Sequence, residues 1–229
     1  AETLKEFADY LEGRDDFEKA LHDLIKDTIK AHKRIIFNGD GYDDKWVKEA
    51  ESRGLLNLKT TPEALAHLLD EKNIRLFESH KVYSKAELTA RYEVLNESYG
   101  KIINIEALTM LDMARKDILP AMSEFAKKLS KSALEKKEFV ADVDLTYEKE
   151  TVKKLGDMTK EAYKHVLKLE EDLSAAKDIT SAPEYAMYCK DKILPDMAEL
   201  RISVDSAEAI SSKKDWPYPS YGELLFGVR

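Results

Sequence analysis

The stretch that decides the fold is residues 84–129, which read SKAELTARYEVLNESYGKIINIEALTMLDMARKDILPAMSEFAKKL. Ser84 and Glu87 have the spacing of a capping box, which starts a helix. Apolar residues then recur at steps of four and three, a seam typical of helices that pack along one another: Leu88, Tyr92, Leu95, Tyr99 and Ile102. At about 1.5 Å per residue such a helix extends roughly 70 Å. This length predicts contact with another subunit or domain.

The middle of this helix, residues 102–114, is apolar on all sides, so we expect it to be covered on all sides as a central rod. Asn104, Glu106 and Asp112 interrupt it. We interpret the two carboxylates as members of structural ion pairs, Asp112 with Arg115 or Lys116 and Glu106 with Arg91 or Arg201. A functional role for Glu106 and Asp112 stays open.

Helical patterns also cover the rest of the chain. Short helices occupy the N-terminal part, with stops at Gly13 and Gly54 and a start at Thr61-Pro62-Glu63. A break near residues 139–142 precedes a long helix whose seam reads Leu155, Met158, Ala162, Val166, Leu169, Leu173 and Ala176. The similar hexapeptides DILPAM (117–122) and KILPDM (192–197) place prolines inside two helices, which we expect to be kinked there.

The predicted fold class is therefore all-α. It is an elongated bundle of long, proline-kinked antiparallel helices, with several short N-terminal helices and an extended aromatic C-terminal tail. The tail, residues 216–222, is expected not to be helical because of its two prolines, and residues 224–226 are expected to form a short anchor. We expect Trp216, Tyr218, Tyr221 and Phe226 to be interaction residues that dock in a groove of this chain or of a neighbour.

Composition excludes several classes of protein. The formal net charge of -8 argues against nucleic-acid and anionic membrane surfaces. The single cysteine, Cys189, leaves no internal disulfide framework, and the sequence shows no apolar run of about 20 residues and no signal peptide. We therefore expect a cytoplasmic protein without nucleic-acid or membrane partners. The start at Ala1, without Met and already in a helical pattern, indicates either processing or a longer parent protein.

Residues that carry chemistry are scarce. The five histidines have no metal-ligand spacing, and the acidic stretch 40–44 fits a helix-capping turn better than a calcium loop because Lys45 stands where the loop needs glycine. No phosphate-binding loop is present, and Cys189 fits a packed thiol. The sequence thus predicts no catalytic, cofactor-binding or metal-binding residue in this chain.

Several longer stretches together resemble type III glutamine synthetases. They are KRIIFNGDGY (33–42), WVKEAE (46–51), GLLNLKTTP (54–62), RYE (91–93), INIEALTM (103–110) and WPYPSYGELLF (216–226). Their order along the chain and their literal length make the resemblance specific. It covers nearly the whole chain and corresponds to the part of the family that follows the catalytic segments.

The resemblance implies a parent enzyme that joins ammonia to glutamate, using ATP and Mg, through a γ-glutamyl phosphate. The family's active site is a β-sheet funnel that lies upstream of this region, so no catalytic residue is carried over. Residues 1–57 are expected to be the helical end of the catalytic domain and residues 58–229 a helical C-terminal domain, packed together as one unit. The implied partners are the catalytic domain of the same polypeptide and further copies in two stacked hexameric rings. The alternative is a free-standing, non-enzymatic helical scaffold or regulatory interaction module.

Overall fold

The computed structural model describes residues 2–227, and this part of the chain is helical throughout, without a β-strand. It contains eleven α-helices: α1 (Glu2–Leu11), α2 (Phe17–Ala31), α3 (Asp44–Ser52), α4 (Thr61–Ala66), α5 (Glu71–Ser79), α6 (Lys85–Met113), α7 (Leu119–Phe139), α8 (Thr146–Ala175), α9 (Ala182–Tyr188), α10 (Leu194–Ile210) and α11 (Tyr221–Phe226). The predicted all-α bundle with long helices is confirmed.

The chain divides into two compact units, Ala1–Leu58 and Lys59–Arg229, which we call the N-terminal unit and the C-terminal unit. The described part of the N-terminal unit consists of α1, α2 and α3. The C-terminal unit contains α4 to α11 and the buried residues of the described chain, which begin at Pro62.

Helix boundaries in the N-terminal unit follow local chemistry. The Asp16 carboxylate accepts a hydrogen bond from the Lys19 amide at 3.0 Å and caps α2, and Asp43 caps α3 in the same way. Gly54 follows α3 with φ +80°, the left-handed conformation that glycine adopts most easily. α2 ends at Ala31, and a 3₁₀ turn, Lys33–Ile35, follows it.

Capping boxes start α4 and α6 of the C-terminal unit. The predicted box at Ser84 is confirmed, since its amide donates to Glu87 Oε2 at 2.8 Å and its hydroxyl accepts from the Glu87 amide at 3.3 Å. At α4 the cap is Thr60 rather than Thr61, because the Glu63 carboxylate reaches back to the Thr60 amide at 3.1 Å.

The buried face of α6 differs from the predicted seam. Leu88 is buried as expected, but Leu95 and Ile102 are exposed, and the buried positions between Leu88 and the end of the helix are Asn96, Gly100, Ile103, Ala107 and Leu111. Small and polar residues on this face let α9 and α4 approach closely. The seam was predicted from large apolar residues, so these small and polar positions were not included in it.

Within the described chain, residues 102–114 are not covered on all sides, contrary to what the sequence predicts for the whole rod. Ile102, Ile105 and Leu108 are exposed on the side of α6 opposite its buried face. Within the described chain, this helix therefore packs on one side and leaves a second apolar side uncovered.

A π-turn precedes the proline of each of the two similar hexapeptides. In residues Ala114–Ile118 the Leu119 amide donates to the Ala114 carbonyl, and in Cys189–Ile193 the Leu194 amide donates to the Cys189 carbonyl. Pro120 and Pro195 then occupy the second positions of α7 and α10, where the missing N–H costs little. Both similar hexapeptides therefore carry the same local structure, and neither proline ends its helical rod.

Two clusters form the core of the C-terminal unit. The first joins α6, α8, α9 and α10 around Ile103, Val166, Leu169 and Leu200, and the second joins α7, α8 and the end of α10 around Met122, Phe125 and Leu155. Except for the partly buried Met158, the predicted α8 seam is buried, and it packs against α7 and α10 of the same chain. It is therefore unavailable for contacts with neighbouring subunits.

Candidate interaction surfaces

The N-terminal unit carries an apolar patch on paired amphipathic helices. Facing side chains of α1 and α2 line a groove of about 240 Å³, and its lining is Phe7, Leu11, Leu21, Leu24, Ile25, Thr28 and Ile29. Among residues 2–58 no side chain is buried, although both helices have a clear apolar face. We call this surface the α1–α2 patch. Amphipathic helices normally bury such a face against another element.

The loop that joins α2 to α3 is ordered by its aromatic residues. The rings of Phe37 and Trp46 stack with centroids 3.8 Å apart, and the Arg53 guanidinium lies 5.4 Å from the Trp46 ring centroid. Arg53 also donates to the Ile36 carbonyl at 3.1 Å. The acidic stretch forms a turn as predicted, since the Tyr42 amide donates to Asp40 Oδ1 at 2.9 Å. The motif at residues 33–54 therefore builds a local packing unit.

The uncovered side of α6 projects between two grooves. One groove, of about 530 Å³, lies between α6, α10 and the C-terminal tail, with Ile105, Met113, Met197 and Trp216 in its lining. The other, of about 690 Å³, lies beside Leu108 and is lined by Glu170, Lys177 and Tyr185. Ile105 and Leu108 therefore stand exposed on the part of α6 that separates the two grooves.

The two α6 carboxylates that the sequence singled out are both exposed. Asp112 pairs with Lys116, one of its two predicted partners, whereas Arg115 pairs with Glu170 of α8. Within residues 2–227 Glu106 has no ion-pair partner. Arg201 instead contacts Asp205 at 3.1 Å, and Arg91 lies over the Tyr83 ring. The predicted Glu106 pair is wrong because Glu106 lies on the water-exposed side of α6, where a carboxylate needs no partner.

The four aromatic residues of the C-terminal tail fall into two pairs. Trp216 and Tyr218 are half-buried against the second core cluster, and the Tyr218 hydroxyl donates to Asp117 Oδ2 at 2.9 Å. Burial and this hydrogen bond raise the pKa of Tyr218 to about 12. Tyr221 and Phe226 are each 82% exposed.

The sequence predicted an extended tail up to Gly222, but the tail becomes helical before that residue. A capping box of Ser220 and Glu223 starts α11 at Tyr221, with the Ser220 amide donating to Glu223 Oε2 at 2.8 Å. Leu224 and Leu225 are exposed in the described structure, so α11 presents an apolar surface instead of anchoring itself on the bundle.

A buried polar cluster between α8 and α10 was missed by the sequence analysis. Asp196 is 1% exposed and pairs with Lys168, while Tyr188 donates to Asp172 Oδ1 at 3.1 Å. Burial and the adjacent Asp172 raise the pKa of Asp196 above its usual value. The signal was present, because Asp196 stands three residues after Ile193 and four before Leu200, on the apolar seam of its helix.

The cysteine and the histidine described next take part in packing and in a local ion pair. Cys189 is buried, as predicted, and burial raises the pKa of its thiol. His67 contacts Asp70 at 3.0 Å. Across residues 2–227, no three His, Cys, Asp or Glu side chains come close enough to hold a metal ion. None of the helices in this range combines the length and apolar character that spanning a bilayer requires.

The described chain is thus an all-helical region whose distinctive exposed features are apolar surfaces. Comparison with known proteins gives its family. Residues 20–137 match the glutamine synthetase C-terminal domain. The chain is 40% identical to a glutamine synthetase of Butyrivibrio fibrisolvens over 94% of its own length and 31% of that relative.

Two further relatives agree. A type-3 glutamine synthetase of Dictyostelium discoideum is 36% identical, and a glutamine synthetase of Bacteroides fragilis is 28% identical, each over 91% of this chain. The chain spans 29–31% of the length of these relatives. It belongs to the glutamine synthetase C-terminal domain family, and the resemblance found in the sequence is confirmed.

Proposed function

We propose that this chain is the C-terminal helical region of a cytoplasmic glutamine synthetase, where it serves subunit packing and assembly. The parent enzyme would ligate ammonia to glutamate with ATP and Mg, in glutamine biosynthesis. The similarity to glutamine synthetases over more than nine-tenths of the chain supports this proposal. The side chains of residues 2–227 do not form a set that fits Mg, so we assign ATP and metal binding to the remaining part of the parent. The chain by itself is then inactive.

One observation supports docking of this chain onto the rest of the parent enzyme, namely the α1–α2 patch. Two helices with clear apolar faces bury no side chain fully in this chain: Phe7 and Leu24 are only partly buried, and Ile25 and Ile29 are half exposed. Exposed apolar surface is stabilised by burial at roughly 25 cal/mol per Å². The relatives have about 70% of their length outside the region that this chain matches, and that part supplies a cover. We assign the patch to the catalytic domain of the same polypeptide, with residues 1–57 as its helical end and residues 58–229 as the helical C-terminal domain.

A pair of neighbouring substitutions in the parent enzyme tests this docking. Ile25 lies in the patch and is half exposed, so Ile25→Asp introduces a charge there at little cost to α2 itself. Lys26 follows it and faces away from the groove, so Lys26→Asp is the matched control. We expect Ile25→Asp, and not Lys26→Asp, to lower the melting temperature and the oligomer mass of the parent. Equal behaviour of the two variants in both measurements would refute the docking.

A truncation tests the contribution of the tail. Removal of the chain from Trp216 onward would strip Trp216 and Tyr218 from the core of the C-terminal unit, so a loss of stability would have an internal cause. Ending the chain after Pro219 removes the exposed α11 and keeps both rings. We expect the shorter deletion to lower the oligomer mass by light scattering or the melting temperature of the parent. If neither changes, α11 has no role in assembly.

The free-standing scaffold remains a second candidate, because the C-terminal unit has two core clusters of its own. The coding region immediately upstream separates the two. An in-frame catalytic domain supports the glutamine synthetase, whereas an initiator Met at position 1 supports the scaffold. The isolated chain should show no γ-glutamyl transfer, and clear activity would contradict the assignment of the active site to the rest of the parent.

A further inference from the structure

The exposed side of α6 and of the π-turn that follows it carries a row of six residues with an ordered charge pattern. Glu97, Lys101, Ile105, Leu108, Asp112 and Lys116 follow one another at steps of four, four, three, four and four. This spacing places them on one face of a helix, and we call them the α6 ridge. The two ion pairs along it, Glu97 with Lys101 and Asp112 with Lys116, confirm that each end of the row shares a face.

We propose that the α6 ridge is a contact between two copies of this chain, whose ridges pack antiparallel about a two-fold axis. The inference rests on the assembly role proposed above and names a surface that performs it. Its apolar centre is Ile105, which is 63% exposed, and Leu108, which is 52% exposed. These two side chains are uncovered in the described chain, and a second ridge would bury both at once.

The order of charges makes the ridge complementary to itself in one direction. Read along α6, the row is negative, positive, apolar, apolar, negative, positive. In the antiparallel register that sets Ile105 opposite Leu108 of the partner subunit, Lys101 meets Asp112 of the partner subunit. Glu97 then meets Lys116 of the partner subunit. Each opposite pair occurs twice in the dimer because a two-fold contact repeats itself.

A parallel pairing has the reverse effect. With the ridges side by side in the same direction, each charge lies beside the identical charge of the second copy, and like charges repel. The charge order therefore favours antiparallel pairing of identical chains. If the partner had an unrelated sequence, the charge order of the ridge would not need to be complementary to the same order read backwards.

The area of the ridge indicates what kind of assembly it can hold together. From Glu97 to Lys116 the ridge is about 30 Å long, and a helix is about 10–12 Å wide, which gives a strip of roughly 300–360 Å². A standard stable interface buries about 800 Å² per partner. The ridge therefore fits one of several contacts in a larger oligomer, and in the isolated chain we expect it to give weak, reversible dimers.

Charge reversal tests the register directly. In the 229-residue chain, Lys101→Glu should set like charges together at two places in the dimer and weaken dimerisation about tenfold in sedimentation velocity across a concentration series. The double variant Lys101→Glu/Asp112→Lys should restore most of the lost affinity. Both variants place like charges next to each other within α6, so recovery in the double variant must come from the contact between chains.

A second pair of variants tests the apolar centre. Ile105→Glu should abolish the dimer, whereas Leu134→Glu should leave it intact, since Leu134 is 70% exposed on α7, away from the ridge. Circular dichroism and melting curves of all variants confirm that the bundle is folded. In the parent enzyme, Ile105→Glu should lower the oligomer mass.

Two results would overturn the ridge contact. One is a wild-type chain that stays monomeric at the highest concentration reached, and the other is a double variant as weak as Lys101→Glu. These failures are separate from failure of the proposed function, which is tested by Ile25→Asp in the parent. If Ile25→Asp lowers the oligomer mass of the parent and Ile105→Glu does not, assembly stands and the ridge contact falls.

Discussion

Replacement of Gly100 by alanine should destabilise the bundle, although alanine is the better helix former. Gly100 is buried on α6 where the ring of Tyr185 from α9 crosses it. A Cβ added at this position would lie 2.4 Å from Tyr185 Cδ1 and 2.6 Å from Cε1. Carbon atoms pack at about 3.5–4.0 Å, so the ring must move by about 1 Å or more. Tyr185 is partly buried beside Cys189, and this burial raises its pKa to about 12.

The chain offers a matched control for this substitution. Gly156 lies inside α8, and a Cβ there would meet no atom within 4 Å. Both variants gain about 1 kcal/mol of helix propensity, but only Gly100→Ala incurs an overpacking cost of about 1–3 kcal/mol. The two variants should therefore differ in free energy of unfolding by about 1–3 kcal/mol. For a chain of this size that separates their melting temperatures by about 2–12 °C, with Gly156→Ala above wild type.

The assay is thermal and urea unfolding of both variants, followed by far-UV circular dichroism. A Tyr185→Ala background sharpens it, because without the ring Gly100→Ala should become stabilising. The reasoning is refuted if Gly100→Ala raises the melting temperature as much as Gly156→Ala does, or if removal of the ring leaves its effect unchanged.

Further predictions concern buried and paired groups. Lys168→Met leaves the buried Asp196 carboxylate without its cation and should cost about 1–3 kcal/mol in urea unfolding at neutral pH. Because the pKa of Asp196 is already raised by burial, this deficit should shrink as Asp196 becomes protonated in acid, and a deficit independent of pH would contradict it. Hydrogen bonds from Lys190 and Thr60 lower the pKa of Glu63 from 4.5 to about 2, so its stabilising contribution is complete above pH 4.5 and is lost as the pH falls toward 2. Glu63→Gln should therefore melt below wild type at pH 7 and converge with it between pH 4.5 and 2, and parallel curves would count against this pairing. Burial raises the pKa of the Cys189 thiol, so a thiol reagent should modify it only when the chain unfolds, and rapid labelling of the native chain would show that it is accessible.

The helices and many of their starts could be predicted from the sequence, because they depend on neighbours in the chain. Ser84, Asp43 and Gly54 act within one helical turn of their own position, so their roles follow from residue type and spacing. The same holds for the α8 seam, where large apolar residues recur without interruption. The start of α11 at Tyr221 was not predicted, although the Ser220–Glu223 capping box is also a local signal. The two prolines before it were given more weight than the box.

The faces of α6 could not be predicted, because burial there depends on another helix. Gly100 is buried by the close approach of Tyr185 on α9, and Ala107 belongs to the first core cluster, while the larger Ile102 and Ile105 remain exposed. A pattern search weights side chains by size and so assigns the wrong side. The buried Asp196 was missed for a related reason, since a lone carboxylate is treated as exposed until its partner Lys168 on a different helix is known.

The two π-turns have a consequence for how the long rods unfold. Each turn interrupts the ladder of regular hydrogen bonds just before a proline that donates none, so fraying that begins at the far end of α7 has no continuous ladder along which to spread into α6. The same holds between α10 and α9. Each rod therefore behaves as two shorter cooperative segments joined end to end, and disorder at one tip can remain confined to its own half.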